Sequence, residues 1–579
     1  MKLIEALDIV KRGRTAPDEP LTVLLACGFQ PLHLATFLGA HLQQQFPRRP
    51  IALRTGLYGD LAGTLERGHD SLDGAAVVVE WSDLDARLGV RGLGGWAPSA
   101  LPDIIASARR AAGRLRAAME RRATQCPLAL CPPTLPLPPV AYTPGTHASE
   151  FEIELDAIVA DLVGAAIRHP RIRVVRRQRL DALSPPAARL DVAGELRAGF
   201  PYRMAHADAV GALLATLVAG PRPKKGLITD LDDTVWRGLL GEVGVTGVTW
   251  DLAAEGHVHA LYQQLLAALA ESGILVAVAS KNDPELVDEA LRRPDLLVAR
   301  DRIHPVHAGW GAKSEAVGRI LRAWNIAADS VVFVDDTPME LAEVEAAHPG
   351  LECVRFPKDD AAAVWALLER LRDVFGKGAI SDEDRLRLAS LRDSGLAEAP
   401  AEGSAGFEDF LAGAAALVTL DTRVDPDDPR AIELVNKTNQ FNLNGRRYTE
   451  RQWRDLLTRP GAFLLRVSYQ DRFGPLGKIA ILAGRAEGHV VSVDAWVMSC
   501  RAFSRRVEHQ CLRHLFARFG ASQIRFDYAK TERNGPLQEF FATLLGSSLP
   551  GASLVLTRDE FTAACPVLSH EIREVASDG

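Results

Sequence analysis

The chain alternates short apolar runs with longer amphipathic segments, and in its first third this alternation predicts a parallel α/β sheet. Strands separated by helices pair in parallel, because each helix carries the chain back to the same edge of the sheet. A proline-rich stretch over 132–139 interrupts the pattern before a further helix begins. The predicted strands lie over 23–26, 51–53 and 75–79, and the predicted helices over 32–45, 101–121 and 150–167.

The same alternation continues more regularly in the second third of the chain. In open parallel sheets, catalytic groups lie beyond the carboxyl ends of the strands. Asp230, Ser280 and Asp335 each follow a predicted strand directly. The predicted strands lie over 227–229, 274–279 and 331–334, and the predicted helices over 258–272, 285–292, 313–324 and 339–347.

After about residue 375 the alternation loosens, and the stretch over 395–406 has the composition of a linker. The region beyond it combines strands over 463–468, 478–482 and 490–493 with an amphipathic helix over 505–519. Because 579 residues exceed what one hydrophobic core supports, we predict a multidomain α/β protein. Its predicted segments are an α/β domain over 1–220, a parallel-sheet domain over 221–375, a helical or linker segment over 376–405, and a mixed α+β domain over 406–579.

Composition and charge narrow the class of protein. A formal net charge of -7 gives no reason to expect a nucleic-acid partner. The first residues lack the order of an export signal, and no run of 18 apolar residues occurs, so a cytoplasmic protein without a membrane segment is predicted. The seven cysteines are scattered without Cys-x-x-Cys spacing, which indicates reduced thiols rather than a disulfide framework or a zinc cluster.

The most informative motif is Asp230-Leu-Asp232, followed by Thr234, directly after a predicted strand. Residues i and i+2 of a strand point the same way, so both carboxylates are expected to face one reacting centre. One carboxylate can then attack phosphorus while the other protonates the leaving oxygen and later activates water. Taken alone, the motif has the alternative interpretation of an acidic loop after a buried strand.

Further polar groups follow this motif in an order that suits phosphate chemistry. A phosphoryl dianion needs cations opposite an acidic nucleophile, and Mg²⁺ binds carboxylates and phosphate together. Each group alone has an ordinary explanation as a helix cap, a surface lysine or a loop, so the prediction depends on their occurring together. The groups are Ser280-Lys281-Asn282 after one strand, Lys313 at the start of a helix, and Asp335-Asp336 after another strand.

This order of motifs resembles that of the haloacid dehalogenase (HAD) superfamily, and the surrounding sequence resembles the narrower FkbH-like group. The likeness lies in the segments 230–244, 280–284 and 333–338, and in Trp310. It implies that Asp230 is the nucleophile and that Asp232 is the general acid and base. It also implies phosphate or substrate contacts by Thr234, Ser280, Lys281, Asn282 and Lys313, Mg²⁺ ligands in Asp230, Asp232 and Asp335, and further site candidates in Asp336 and Trp310. Arg501, in the C-terminal region, is one more candidate.

FkbH-like proteins take a glyceryl unit from 1,3-bisphosphoglycerate, remove phosphate and load the unit onto an acyl carrier protein for polyketide extender units. The resemblance therefore implies a phosphorylated three-carbon substrate and a phosphopantetheinylated carrier as partner. Making a thioester from an acyl phosphate requires attack on carbon, for which a thiolate is the natural nucleophile. Cys500 is the candidate, because a predicted helix start and Arg501 would favour its thiolate. A buried packing role is the alternative.

The flanking regions carry weaker likenesses to the same family. The C-terminal region resembles an acetyltransferase-like (GNAT) domain in segments such as 436–442 and 531–534, but Ser504 and Arg506 stand where its phosphate loop usually has glycine. The N-terminal region resembles a degenerate SGNH-hydrolase-like domain without a nucleophilic serine. We therefore expect a structural or docking role for its His206.

Two rival functions stay open at this point. The first is a HAD small-molecule phosphatase whose other domains only position it, without acyl transfer. The second is a noncatalytic scaffold in a biosynthetic assembly, although a scaffold has no need of two closely placed carboxylates.

Overall fold

The computed structural model describes residues 1–68, 71–139, 143–220, 223–378, 412–438, 440–472, 474–499, 502–503, 505–545 and 552–575. The chain divides into two compact units, Met1–Pro221 with Thr449–Arg451, and Arg222–Tyr448 with Gln452–Gly579. Most of the predicted linker lies outside the described residues, and the boundaries between the four predicted segments stay predictions. Among the described helices, none is long and apolar enough to cross a bilayer.

The first unit contains a five-stranded parallel sheet in the order β2-β1-β3-β4-β5, which confirms the parallel α/β prediction for this region. Its strands are β1 Leu21–Cys27, β2 Ile51–Thr55, β3 Gly74–Val78, β4 Leu128–Cys131 and β5 Ile172–Val174. The helix Leu101–Ala123 shows how the pattern determines packing, since its buried residues recur every three or four positions. The other helices are Leu3–Gly13, Leu32–Gln45, Leu61–Glu66, Trp81–Leu84, Glu150–Ala166, Arg177–Leu183, Val192–Ala198 and Met204–Ala219.

The second unit begins with another five-stranded parallel sheet, in the order β10-β9-β6-β7-β8. Its strands are β6 Gly226–Thr229, β7 Leu275–Ser280, β8 Ile303–Ala308, β9 Val331–Asp335 and β10 Glu352–Arg355. In the central strand, Thr229 pairs with Val278 of β7 and Val334 of β9, so the carboxyl ends of three strands are aligned. Its helices are Leu240–Val243, His257–Glu271, Pro284–Leu291, Lys313–Trp324, Pro338–Ala347 and Ala361–Phe375.

A mixed sheet follows in the same unit, in the order β17-β16-β15-β14-β13-β11-β18, with β12 paired to β15. Its pairs are antiparallel except β15 with β16 and β11 with β18, which are parallel. The strands are β11 Leu417–Asp421, β12 Phe441–Asn442, β13 Ala462–Asp471, β14 Gly474–Glu487, β15 Val490–Met498, β16 Gln523–Ala529, β17 Ala552–Thr557 and β18 Glu571–Val575. The helices are Pro429–Lys437, Glu450–Leu457, Val507–Arg518, Gly535–Leu545 and Arg558–Ala564.

Candidate active site

Asp230 lies one residue beyond the carboxyl end of β6 and is only 5% exposed. Its backbone N–H donates to the carbonyl of Val334 at 2.9 Å, so the chain stays bound to the sheet at this point. Burial raises the pKa of the Asp230 carboxyl to about 7, even though the neighbouring ammonium of Lys313 acts in the opposite direction. The predicted nucleophile therefore sits in a region from which water is largely excluded.

Lys313 connects the carboxylates of two strand ends. It begins the helix Lys313–Trp324, and only 4% of it is exposed. Its Nζ lies 2.9 Å from Asp230 Oδ1, 2.6 Å from Asp335 Oδ2 and 3.3 Å from Glu340 Oε2. Burial alone would lower the pKa of this ammonium, but the surrounding carboxylates outweigh burial and raise it. Lys313 is therefore a charged, buried centre of the site.

Asp335 and Asp336 complete an acidic cluster at the end of β9. One oxygen from each of Asp230, Asp335 and Asp336 lies within 4.8 Å of the other two. Asp335 is fully buried, and its Oδ1 accepts the Thr337 N–H at 2.8 Å, which orients the carboxylate. Burial raises the pKa of Asp335 despite the adjacent Lys313. A set of carboxylate oxygens without sulfur or imidazole fits a hard divalent cation such as Mg²⁺.

The Asp232 carboxylate has a different environment from that of Asp230. Its Oδ1 accepts the Trp236 indole N–H at 3.0 Å and the Leu240 N–H at 3.2 Å. Its Oδ2 accepts the Asn282 amide at 3.0 Å, and the same amide nitrogen lies 3.0 Å from Ser280 Oγ. Three neutral donors therefore fix its orientation. The acidic cluster consists of Asp230, Asp335 and Asp336 and does not include Asp232. The role of Asp232 as a metal ligand therefore stays a prediction.

Three other predicted residues are placed around this centre. Lys281 Nζ lies 2.9 Å from Glu340 Oε1, which links the loop after β7 to the helix Pro338–Ala347. Thr234 is fully buried, and among the described residues its hydroxyl has no hydrogen-bond partner. Trp310, in the loop before Lys313, is 75% exposed. The substrate contact of Thr234 stays a prediction.

Sequence reasoning missed Glu340 and Lys358. Glu340 contacts both Lys313 and Lys281, so one carboxylate links two cations of the site. Lys358, three residues after β10, lies 2.6 Å from Asp233 Oδ2 and 2.9 Å from Asp336 Oδ2. The sequence did contain one indication for Glu340, which lies in the first turn of the helix that follows Asp336. Lys358 follows a strand that the apolar pattern did not predict.

Cys500 and Arg501 lie outside the described residues, as do Asn439 and Ser504. Asn436, in the acetyltransferase-like segment 436–442, uses its amide to bind the backbone of Tyr448, donating from Nδ2 and accepting at Oδ1, both at 2.8 Å. Arg446 forms an ion pair with Asp527 at 2.5 Å. These contacts give Asn436 a structural role in the turn before Tyr448.

His206 in the first unit is enclosed in a buried polar network. Its two ring nitrogens lie 2.9 Å from Thr134 Oγ1 and 3.0 Å from Ser184 Oγ. The Glu80 carboxylate accepts the hydroxyl of Thr134 at 2.5 Å and that of Tyr202 at 2.6 Å. Burial lowers the pKa of His206 to about 3, so the ring is neutral at physiological pH. This environment agrees with the expected structural role.

One solved structure of a known protein is similar in fold to most of this chain. No protein-family model matches the chain, and no curated protein matches its sequence. The N-terminal part of the Bacteroides fragilis protein BF1531, described as containing a phosphatase domain complexed with Mg, is 19% identical, with a TM-score of 0.52 over 66% of this chain and 100% of that chain. About two thirds of this chain is therefore similar in fold to that structure.

Two shorter solved structures are also similar, but only over a quarter of this chain. An uncharacterised protein from Corynebacterium glutamicum is 18% identical, with a TM-score of 0.18 and 96% of its own chain covered. A putative acetyltransferase is 14% identical, with a TM-score of 0.18 and 89% of its own chain covered. Likenesses at this level carry no argument about fold or activity.

Proposed function

We propose that this chain is a cytoplasmic, Mg²⁺-dependent HAD-type phosphatase and glyceryl transferase of the FkbH-like kind, which charges an acyl carrier protein. The observation that carries the phosphatase part is the position of Lys313 Nζ, 2.9 Å from Asp230 and 2.6 Å from Asp335. A buried cation between two carboxylates provides both a nucleophile and positive charge for a phosphoryl group. The Mg-complexed phosphatase domain of similar fold supports the same assignment.

In this proposal Asp230 attacks phosphorus and forms an aspartyl phosphate, while the bond from phosphorus to the leaving oxygen breaks. Asp232 gives its proton to that oxygen and then takes a proton from the water that hydrolyses the intermediate. The three neutral donors around Asp232 keep its carboxyl in one orientation for both steps. Lys281 and Lys313 supply positive charge for the phosphate oxygens.

Asp230, Asp335 and Asp336 would hold the Mg²⁺ ion, because their oxygens converge and are all of the type this cation prefers. When bound, the ion supplies positive charge that offsets the repulsion between a carboxylate nucleophile and a phosphate dianion. Glu340 holds the two lysines in place without adding an oxygen to the acidic cluster.

The transferase part requires a second nucleophile. A thiolate attacks the acyl carbon of 1,3-bisphosphoglycerate, the bond from carbon to the phosphate oxygen breaks, and inorganic phosphate leaves as the thioester forms. We assign this thiolate to Cys500 and the mixed sheet of the second unit to a GNAT-like acyl-transfer domain. Among the described cysteines none is a better candidate, since burial raises the pKa of all six, to about 11 for Cys126 and Cys353 and to about 12 for Cys27.

The test incubates the full-length protein with Mg²⁺, 1,3-bisphosphoglycerate and phosphopantetheinylated carrier protein, followed by intact-mass analysis of both proteins. The expected result is a glyceryl mass gain on the carrier together with released phosphate. Asp230→Asn is expected to abolish removal of the phosphomonoester but to leave acyl attachment, so the carrier gains a phosphoglyceryl unit. Cys500→Ala is expected to abolish loading while hydrolysis of p-nitrophenyl phosphate continues.

Other outcomes select the rival functions. Phosphate release without a mass gain on the carrier favours a plain HAD phosphatase. If the native protein shows no Mg²⁺-dependent turnover, or only turnover that persists in Asp230→Asn, the result favours a noncatalytic scaffold. An unimpaired Cys500→Ala protein removes Cys500 from the mechanism.

A further inference from the structure

The C-terminal mixed sheet contains a cavity of about 380 Å³ that the proposed reaction does not use. It lies between the residues that follow β11, the beginning of β13 and the last turns of the helix Val507–Arg518. Ligand sites occupy about 300–1,000 Å³ and combine apolar walls with a few polar groups. This cavity has the size and the mixed lining of such a site.

Two polar side-chain atoms in the lining are buried without a hydrogen-bond partner among the described residues. They are Thr422 Oγ1 and His514 Nε2. His514 is 5% exposed, and its other ring nitrogen, Nδ1, lies 3.2 Å from Glu574 Oε1. Buried polar groups are nearly always paired, so two unpaired groups in the lining of one cavity indicate a missing partner.

The His514 ring has a definite chemical preference. Burial lowers its pKa despite the adjacent Glu574, so the ring is neutral at physiological pH. The Glu574 carboxylate can only accept, and it therefore selects the tautomer that carries the proton on Nδ1. Nε2 is then an acceptor and requires an O–H or N–H donor from whatever fills the cavity.

The remaining lining defines the rest of the ligand. Phe463, Leu515 and Phe519 supply apolar walls, and the Phe463 and Phe519 rings lie 5.3 Å apart. Arg518, one helical turn after His514, is exposed and also lines the cavity. A guanidinium in this position suits a carboxylate. At about 30 Å³ for each water-sized group, the volume accommodates roughly twelve non-hydrogen atoms.

We propose that this cavity binds a small amphipathic hydroxycarboxylate. Its hydroxyl donates to His514 Nε2 and accepts from the Thr422 hydroxyl, its carboxylate pairs with Arg518, and its apolar body packs against Phe463 and Phe519. The site is distinct from the acidic cluster at Asp230 and does not depend on the proposed phosphatase or transferase activity.

The test titrates the full-length protein with each enantiomer of 3-phenyllactate by isothermal titration calorimetry. Drug-sized ligands gain about 0.3 kcal/mol of binding free energy for each non-hydrogen atom. For a ligand of about twelve such atoms we therefore expect saturable binding to one site with a Kd on the order of 1 mM. The matched probe 3-phenylpropionate lacks only the hydroxyl and is expected to bind about tenfold more weakly. Thr422→Val and His514→Phe are each expected to weaken 3-phenyllactate binding by a similar factor.

His514→Phe replaces a buried residue and could disturb folding. Arg518→Met provides a second variant, because the Arg518 side chain is exposed and its replacement is not expected to affect folding. It is expected to weaken 3-phenyllactate and 3-phenylpropionate equally while hydrolysis of p-nitrophenyl phosphate stays unchanged. The proposal is overturned by an absence of saturable heat up to about 10 mM of either enantiomer, which exceeds the expected Kd by about tenfold. Equal affinity for the two probes, or unchanged binding in Arg518→Met, overturns it as well.

Discussion

Replacing Lys313 by methionine tests whether this ammonium is the charge that keeps the acidic cluster together. Methionine has a similar length and volume but no charge, so the packing of the helix start is retained. In the native protein Nζ lies 2.9 Å from Asp230 Oδ1 and 2.6 Å from Asp335 Oδ2. The substitution leaves these two buried carboxylates facing each other without a protein cation between them.

Breaking a buried ion pair by removing one partner costs about 3–5 kcal/mol, because the remaining charge is uncompensated. For a domain of this size, each kcal/mol corresponds to roughly 2–4 °C in Tm, so the expected loss is roughly 6–20 °C. A carboxylate can limit that cost by taking a proton. In native protein the pKa of Asp230 already stands at about 7, chiefly because of burial.

The sign of the pH dependence follows from this raised pKa. An acid whose folded-state pKa exceeds its unfolded value binds more protons in the folded state, so stability falls as pH rises between the two values. Loss of Lys313 raises the folded-state pKa of Asp230 further and extends that fall to higher pH. The difference in Tm between native and variant protein is therefore expected to be larger at pH 8 than at pH 5.

The measurement is differential scanning calorimetry in EDTA at both pH values. Lys437→Met is the matched control, because Lys437 makes a surface pair with Glu433 at 2.8 Å and 42% of its side chain is exposed. Such a pair contributes at most about 0.5 kcal/mol. If Lys313→Met unfolds at the native temperature at pH 8, or changes Tm no more than Lys437→Met does, the ammonium is not what stabilises the cluster.

Three further predictions concern the other groups. Asp232→Asn is expected to lower kcat about 10²–10⁴-fold for glycerol phosphate, whereas p-nitrophenyl phosphate, whose leaving group needs no proton, is expected to give a rapid burst of p-nitrophenolate before slow hydrolysis of the aspartyl phosphate. Glu340→Gln retains the shape of the side chain but removes the charge that holds Lys313, so kcat is expected to fall roughly ten- to a hundredfold with little change in Tm. Gly28→Ala places a Cβ 1.7 Å from Asp83 Oδ1, so calorimetry is expected to show a loss of about 1–3 kcal/mol without a change in phosphatase rate.

Matched variants control two of these predictions. Glu345→Gln, on the same helix as Glu340 but exposed, is expected to leave kcat unchanged. Gly113→Ala, in a helix where no atom beyond the helix's own backbone lies within 4 Å of the added Cβ, is expected to stabilise slightly. A Glu345→Gln effect equal to that of Glu340→Gln would show that charge at a distance, not the contact with Lys313, accounts for the loss. The absence of a p-nitrophenolate burst in Asp232→Asn would contradict its role as an acid, because formation of the aspartyl phosphate from this ester needs no proton donor.

The apolar pattern predicted the central strands and the residues that follow them, because buried parallel strands are short apolar runs and their carboxyl ends share one edge. In the parallel sheet that carries Asp230 it missed β8 and β10, because neither is a fully buried apolar run. Neither strand is fully buried, and β8 contains His304, Pro305 and His307. Lys358 was therefore missed too, since its contact with Asp336 depends on a strand that the pattern does not show.

The Asp230–Asp232 pair shows where strand periodicity stops applying. The expectation that both carboxylates face one centre stays a prediction, because β6 ends at Thr229, before either residue, and Asp233 has a left-handed φ of 50°. The chain turns there, so Asp230 joins Lys313 and the acidic cluster while Asp232 is bound by Trp236 and other neutral donors. One motif thus places two identical side chains in different electrostatic environments. A division into nucleophile and acid requires such a difference, because two carboxylates in one environment would compete for the same proton.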